Sequence, residues 1–238
     1  IGGLGEDAAH SIQLDMDGNV FVAGGTASED FKVTQGSYNS MYNGAVDGWV
    51  AHIDLNGDSI IHATYTGTSA YDQVYFVDLD ESEEVYLYGQ SQGEFLKTSG
   101  VYSNTFGRMF VQKLSNDLST VRFSTAFGSN TNSNVNISPT AFLVSECNNL
   151  YMAGWGGLTN LNSSNYLGGN TNDMRVSDDA WQSTTSGSDF YLMVLTNDAS
   201  EFLYGTYLGG TQSKTHVDGG TSRFDKHGIV YHSVCAGC

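Results

Sequence analysis

The sequence predicts an all-β chain of repeated four-stranded antiparallel sheets, and three observations carry that expectation. A short apolar strand recurs without gaps, each recurrence brings the same companion strands, and 29 Gly, 14 Tyr and 12 Phe stand beside a single Pro. Aromatic residues suit the pleated surface of a strand, and Gly supplies the φ > 0 that tight turns need. No stretch shows helical periodicity.

Within each unit a first strand is expected at 12–14, 74–79 and 141–144. A polar turn follows, Asp15-Met16-Asp17-Gly18-Asn19 in the first unit, of the composition that closes hairpins. The second strand carries the clearest repeat: Val20-Phe21-Val22-Ala23-Gly24, Val85-Tyr86-Leu87-Tyr88-Gly89 and Leu150-Tyr151-Met152-Ala153-Gly154. Its closing glycines fall 65 residues apart in both intervals, and a fourth copy, Gly228-Ile229-Val230-Tyr231-His232, follows after a longer interval. A loop then runs from an apolar residue to an aromatic one, Phe31 to Tyr38, Phe95 to Tyr102 and Met174 to Trp181. Third strands are expected at 49–53, 110–114 and 191–195, and fourth strands at 60–65, 121–125 and 202–207. Gly67, Gly128 and Gly209-Gly210 open the following units.

Four short strands per tandem unit is the pattern of β-propeller blades. One such sheet cannot bury both faces, so neighbours must stack. The coils of a β-solenoid are shorter, on the order of 20–30 residues. The expected blades are residues 1–65, 66–126, 127–207 and an incomplete 208–238, all part of one propeller domain. The missing strands of the fourth blade are expected beyond Cys238, so the segment reads as an arc of a larger ring. Alone it would expose blade faces and edge strands, and it is expected to fold poorly or aggregate.

Charge narrows the function classes. With 26 acidic against 9 basic residues the net charge is -17, which repels phosphate backbones and anionic membrane surfaces. Nucleic acid is disfavoured and not expected as a partner, while divalent cations, basic partners and neutral glycans stay open. No run of 18 apolar residues is present to span a membrane. The motifs G-x-S-x-G, H-E-x-x-H and the P-loop are absent, as is the Ser-x-Asp-x-Gly-x-x-Trp box of some propeller hydrolases.

Asp15, Asp17 and Asn19 place oxygens at alternate positions, as calcium loops do, but lack the downstream bidentate Glu. A plain hairpin turn and a calcium loop both remain open there, and equally at Asp54-Leu55-Asn56-Gly57-Asp58. Apart from calcium no cofactor is expected. Cys147, at the opening of a strand, is expected to be a buried small apolar group. The Asn-, Gly- and Ser-rich loop at 158–175, with Tyr166 inside, is either a partner-binding loop or a solvated insertion.

Asp7, Asp17-Gly18-Asn19-Val20-Phe21-Val22-Ala23-Gly24, Thr26, Ser28, Asp30-Phe31, Gly36, Tyr38 and Asp47-Gly48-Trp49-Val50-Ala51, with Tyr207-Leu208-Gly209-Gly210, resemble the bacterial SBBP β-propeller repeat. The chain departs from that pattern at Lys32 and Gln35, where the family carries prolines. Ile137-Ser138-Pro139-Thr140-Ala141, Gly154-Trp155-Gly156-Gly157, His216 to Lys226 and Cys235-Ala236-Gly237-Cys238 resemble large secreted proteins of Bacteroidota. In these, such repeats precede PKD-type domains and a gliding-motility-associated C-terminal domain. The resemblance implies export across the outer membrane by the type 9 secretion machinery and an extracellular or cell-surface location. It also implies adhesion or display, with a surface glycan, a protein ligand and other domains of a longer chain as partners. The alternative is a propeller hydrolase or lyase of polysaccharide, which needs two carboxylates about 5–9 Å apart.

In such a compartment Cys235 and Cys238 suit a disulfide. Free thiols, or a zinc site with His216 and His232 beside Asp218, stay open as alternatives. Asp58-Ser59-Ile60 matches the O-glycosylation pattern of that phylum and marks Ser59.

Overall fold

The computed structural model describes residues 1–156, 169–210, 215–216, 222–233 and 235–236, all in strands, turns and loops with no helix among them. Twelve strands form three four-stranded antiparallel sheets, each a simple meander. The first holds β1 (Asp7–Leu14), β2 (Val20–Thr26), β3 (Asp47–Ile53) and β4 (Ile60–Thr66). The second holds β5 (Asp72–Leu79), β6 (Val85–Ser91), β7 (Met109–Leu114) and β8 (Val121–Phe127). The third holds β9 (Ser138–Val144), β10 (Leu150–Trp155), β11 (Phe190–Leu195) and β12 (Phe202–Leu208). Two short pairs follow, β13 (Thr215–His216) with β16 (Cys235–Ala236) and β14 (Ser222–Phe224) with β15 (Val230–His232). The chain forms two compact units, Ile1–Thr98 with Phe110–Thr125, and Ser99–Met109 with Ala126–Cys238.

The repeating glycine of the second strand has a geometric cause. In each sheet the first strand bulges opposite it: His10, Tyr75 and Thr140 are the extra residues facing Gly24, Gly89 and Gly154. A bulge turns the neighbouring strand's atoms toward its partner. A Cβ on Gly24 would lie 1.8 Å from the Ala8 carbonyl oxygen, and one on Gly89 would lie 2.0 Å from that of Gln73. Only glycine fits.

The aromatic positions pack the face between strand and loop. Phe31, Trp49, Ala51, Ala63 and Tyr65 form a core cluster, with the Phe31 ring 4.8 Å from Trp49 and the Tyr65 hydroxyl donating to the Ser28 carbonyl at 2.8 Å. Phe95, the counterpart of Phe31, stacks on Phe110 at 3.8 Å. Tyr207, the counterpart of Tyr65, donates to the Met174 carbonyl at 2.8 Å.

In the first unit the two sheets stack. Cβ atoms on Gly25 and Gly48 would collide with Gln73 and Val74, so small residues admit β5. The bulge residues meet there, with the His10 ring 5.1 Å from Tyr75. Thr66 donates to Gln112 at 2.7 Å and Val77 N–H to the Ser11 hydroxyl at 3.1 Å. In the second unit the loop around Tyr102 packs on the third sheet, its ring 5.4 Å from Phe202, with the Arg175 guanidinium over both rings. β14 and β15 join that sheet through Tyr151–Phe224 and Phe190–His232 ring contacts.

Candidate functional site

The acids singled out in the turns close hairpins. Asp15 accepts hydrogen bonds from the N–H groups of Asp17 (3.0 Å) and Asn19 (2.7 Å) and from the Asn19 amide (2.9 Å), and its second oxygen lies 2.9 Å from His52 Nε2. Burial would raise its pKa, but the bonds from Asn19 and His52 more than offset this and lower it. The Asn19 side-chain oxygen Oδ1 accepts from the Leu55 N–H at 3.1 Å, and Asp17 is exposed. Asp54 accepts from the N–H groups of Asp58 and Ser59, which leaves Ser59 exposed at the rim. Asp80, Asp117, Asp198 and Asp225 repeat this job, so an oxygen-rich turn here is an Asx turn. Bonds from Ser115 and Ser119 bring Asp117 down to about 2.

The zinc or disulfide cluster is seen in part. The backbone register sets His216 opposite Cys235. His232 shares a 2.7 Å hydrogen bond between Nδ1 and the Ser222 hydroxyl, and burial lowers its pKa. Cys238 and Asp218 lie outside the described residues, as does the part of the loop that holds Tyr166. Among the described residues no group of three His, Cys, Asp or Glu side chains is arranged to hold a metal ion. Cys147 corrects the expectation of a buried thiol: it is free and exposed, because it sits in the β9–β10 turn closed by Asn148 N–H to Ser145, ahead of the strand.

Sequence reasoning missed a pair of buried carboxylates in the first unit. Asp47 opens β3 and Asp72 opens β5, and both are fully buried. They meet where the first two sheets are bridged, with Val46 paired to Tyr71 and Asp72 N–H donating to the Val46 carbonyl at 2.8 Å. Asp47 accepts the Asn43 N–H at 2.6 Å, and Asp72 accepts the Thr68 N–H at 2.6 Å and the Thr68 hydroxyl at 2.9 Å. The other Asp47 oxygen is buried with no hydrogen-bond partner among the described residues. An oxygen of each acid lies 3.0 Å from the place a Gly67 Cβ would take, so the carboxylates approach within about 6 Å across a residue that must be small. Burial, with the Asp72 charge adding to it, pushes Asp47 up to about 7 despite the bond from Asn43. The signal was the recurring Gly67 five residues before Asp72, but nothing in the sequence joins that pair of positions to Asp47.

No family model matches the chain, and no curated protein matches it.

Proposed function

We propose that the chain is an arc of β-propeller blades in a secreted or cell-surface protein, where it serves binding, adhesion or display. The observation that carries this reading is that polar side chains at equivalent positions repeat the same structural job from one hairpin to the next. Asp15, Asp80 and Asp225 close first hairpins, while in the second hairpins Asp54, Ser115 and Thr196 accept at one shared position and Asp117 and Asp198 at another. Such a scaffold leaves its loops and exposed side chains to make contacts. A glycan or a protein ligand on a cell surface fits an acidic exterior that disfavours nucleic acid. The SBBP resemblance supports export by the type 9 route, with the type 9 machinery and further domains of the same chain as partners. A glycan array and a cell-adhesion assay on the full-length parent protein test this. Binding to a defined surface is expected, and turnover of a polysaccharide without such binding would overturn the reading.

The carboxylate pair favours a second reading, a hydrolase or lyase, because two acids approach within about 6 Å and glycosidases work with paired carboxylates. Their complete burial weighs against it, since a substrate must reach both. Asp47→Asn would abolish polysaccharide turnover if the pair were catalytic and leave it unchanged if the pair is structural.

A further inference from the structure

In the first sheet one buried imidazole keeps a nitrogen that nothing in the chain engages. Phe21, His52 and His62 form a row across β2, β3 and β4, each directly opposite the next. The His52 ring stacks on Phe21 at 4.0 Å and lies 6.2 Å from the His62 ring. His52 is only 5% exposed, and its Nε2 is 2.9 Å from a carboxylate oxygen of Asp15. An ionised carboxylate can only accept, so Nε2 carries the proton. In the neutral ring Nδ1 is then a lone pair, and this atom is buried with no hydrogen-bond partner among the described residues. A buried polar atom left in this way points to a water or an ion.

The other sheets show what the position holds. Asp15, Asp80 and Ser145 open equivalent turns, each sending its N–H to the carbonyl four residues on. Beside Asp80 the middle residue is Lys113, whose ammonium lies over the Tyr86 ring as His52 lies over Phe21, and it bonds Asp80 at 2.9 Å and Glu84 at 3.0 Å. Where Ser145 replaces the aspartate, the middle residue is Val194, between Tyr151 and Tyr204. The aspartate and a basic neighbour thus come together, and in the second sheet a cation fills the place.

Only the first sheet puts a second imidazole in the row. His62 stands where the second sheet has Phe123, since Thr34 bonds the Ala63 carbonyl as Thr98 bonds that of Ser124. His62 is half-buried, which opens the pair to solvent on that side. Two imidazoles sharing one zinc ion, at about 2.0–2.1 Å per nitrogen, have ring centres about 5–6.5 Å apart. A ligating histidine usually donates its other N–H to a carboxylate, as His52 does to Asp15.

We propose that His52 Nδ1 and His62 bind a divalent transition cation of the zinc class, with Asp15 orienting His52 and water completing the coordination. Calcium and magnesium, which take oxygen ligands, are not expected there. The site depends neither on the adhesive reading nor on the Asp47–Asp72 pair.

A zinc titration of the metal-free 238-residue chain, followed by long-range proton–nitrogen NMR of the imidazoles, tests it. Before zinc, His52 should be the Nε2–H tautomer. Zinc should then move His52 Nδ1 and one His62 nitrogen together, while calcium at the same concentration moves neither. His62→Phe, which copies the second sheet, should weaken zinc binding at His52 at least tenfold and leave the metal-free melting curve little changed. Asp15→Asn, which retains an acceptor for the turn, should weaken it about tenfold through loss of orientation. An Nδ1–H tautomer before zinc, zinc uptake that leaves His52 Nδ1 unmoved, or a His62→Phe chain whose His52 responds as the parent's does would each overturn the proposal.

Discussion

The hairpin tips and the junction between the first two sheets use the same residue to opposite ends. At the tips each aspartate sits in a ring of donors, and Asp15, Asp80, Asp117 and Asp198 are all lowered from the ordinary carboxylate range. At the junction Asp47 has one donor, a second acid close by and no access to water, and it is raised to about 7. Burial penalises the charged form in both places, and the number of hydrogen bonds decides the sign. Acidity in this chain is a property of the local donors, and the net charge of -17 does not set it.

The comparison breaks most visibly at Asp80. Its carboxylate is almost completely buried and holds Lys113 at 2.9 Å, the Tyr86 hydroxyl, and the N–H groups of Ser82 and Glu84. Asp80→Ala leaves Lys113 with Glu84 and the Tyr86 ring and should cost about 3 kcal/mol in chemical denaturation, since one member of a largely buried ion pair is lost.

At the junction the same kind of change should help. Asp47 has a folded pKa above its unfolded value of 3.8, so its contribution to stability is complete below pH 3.8 and is lost as pH rises through about 7. The loss is on the order of 4 kcal/mol between pH 4 and 8. Asp47→Asn can still accept from Asn43 and can donate to Asp72, so denaturation at pH 8 should show it more stable than the parent, with the two equal near pH 4. The tip aspartates act in the other direction. Their folded values are depressed, so their stabilisation is present above pH 3.8 and lost as pH falls through those values.

A smaller effect separates scaffold from ligand at the first tip. Asp15→Ala should cost about 1–2 kcal/mol through the unsatisfied N–H groups of Asp17 and Asn19. Asp17→Ala, at an exposed side chain, should stay within about 0.5 kcal/mol. Because Asp15 spends its oxygens on the turn and on His52, a calcium chelator should not shift the melting curve, and a clear shift would return the turn to the calcium reading.

The repeat was legible because each unit restates it. Gly24, Gly89 and Gly154 mark the period, and the four-strand order follows from the runs between turns. What the glycines are for was not legible, since the bulges at His10, Tyr75 and Thr140 lie on another strand. The first strand also starts earlier than its apolar run suggests, at Asp7 and not near Ile12, because its early residues are polar or small and carry no apolar pattern, while Asp7 pairs with Thr26 and accepts its hydroxyl. Cys147 was misplaced by two residues' worth of turn. Asp47 and Asp72 lie far apart in sequence on different sheets, so only the stacking of those sheets makes them a pair.

The most direct measurement is a site-resolved titration of the carboxyl carbons by NMR, following Asp47 and Asp117 in one sample. The account predicts a midpoint near 7 for Asp47 and near 2 for Asp117. An Asp47 midpoint at or below 4, the ordinary carboxylate range, would contradict it.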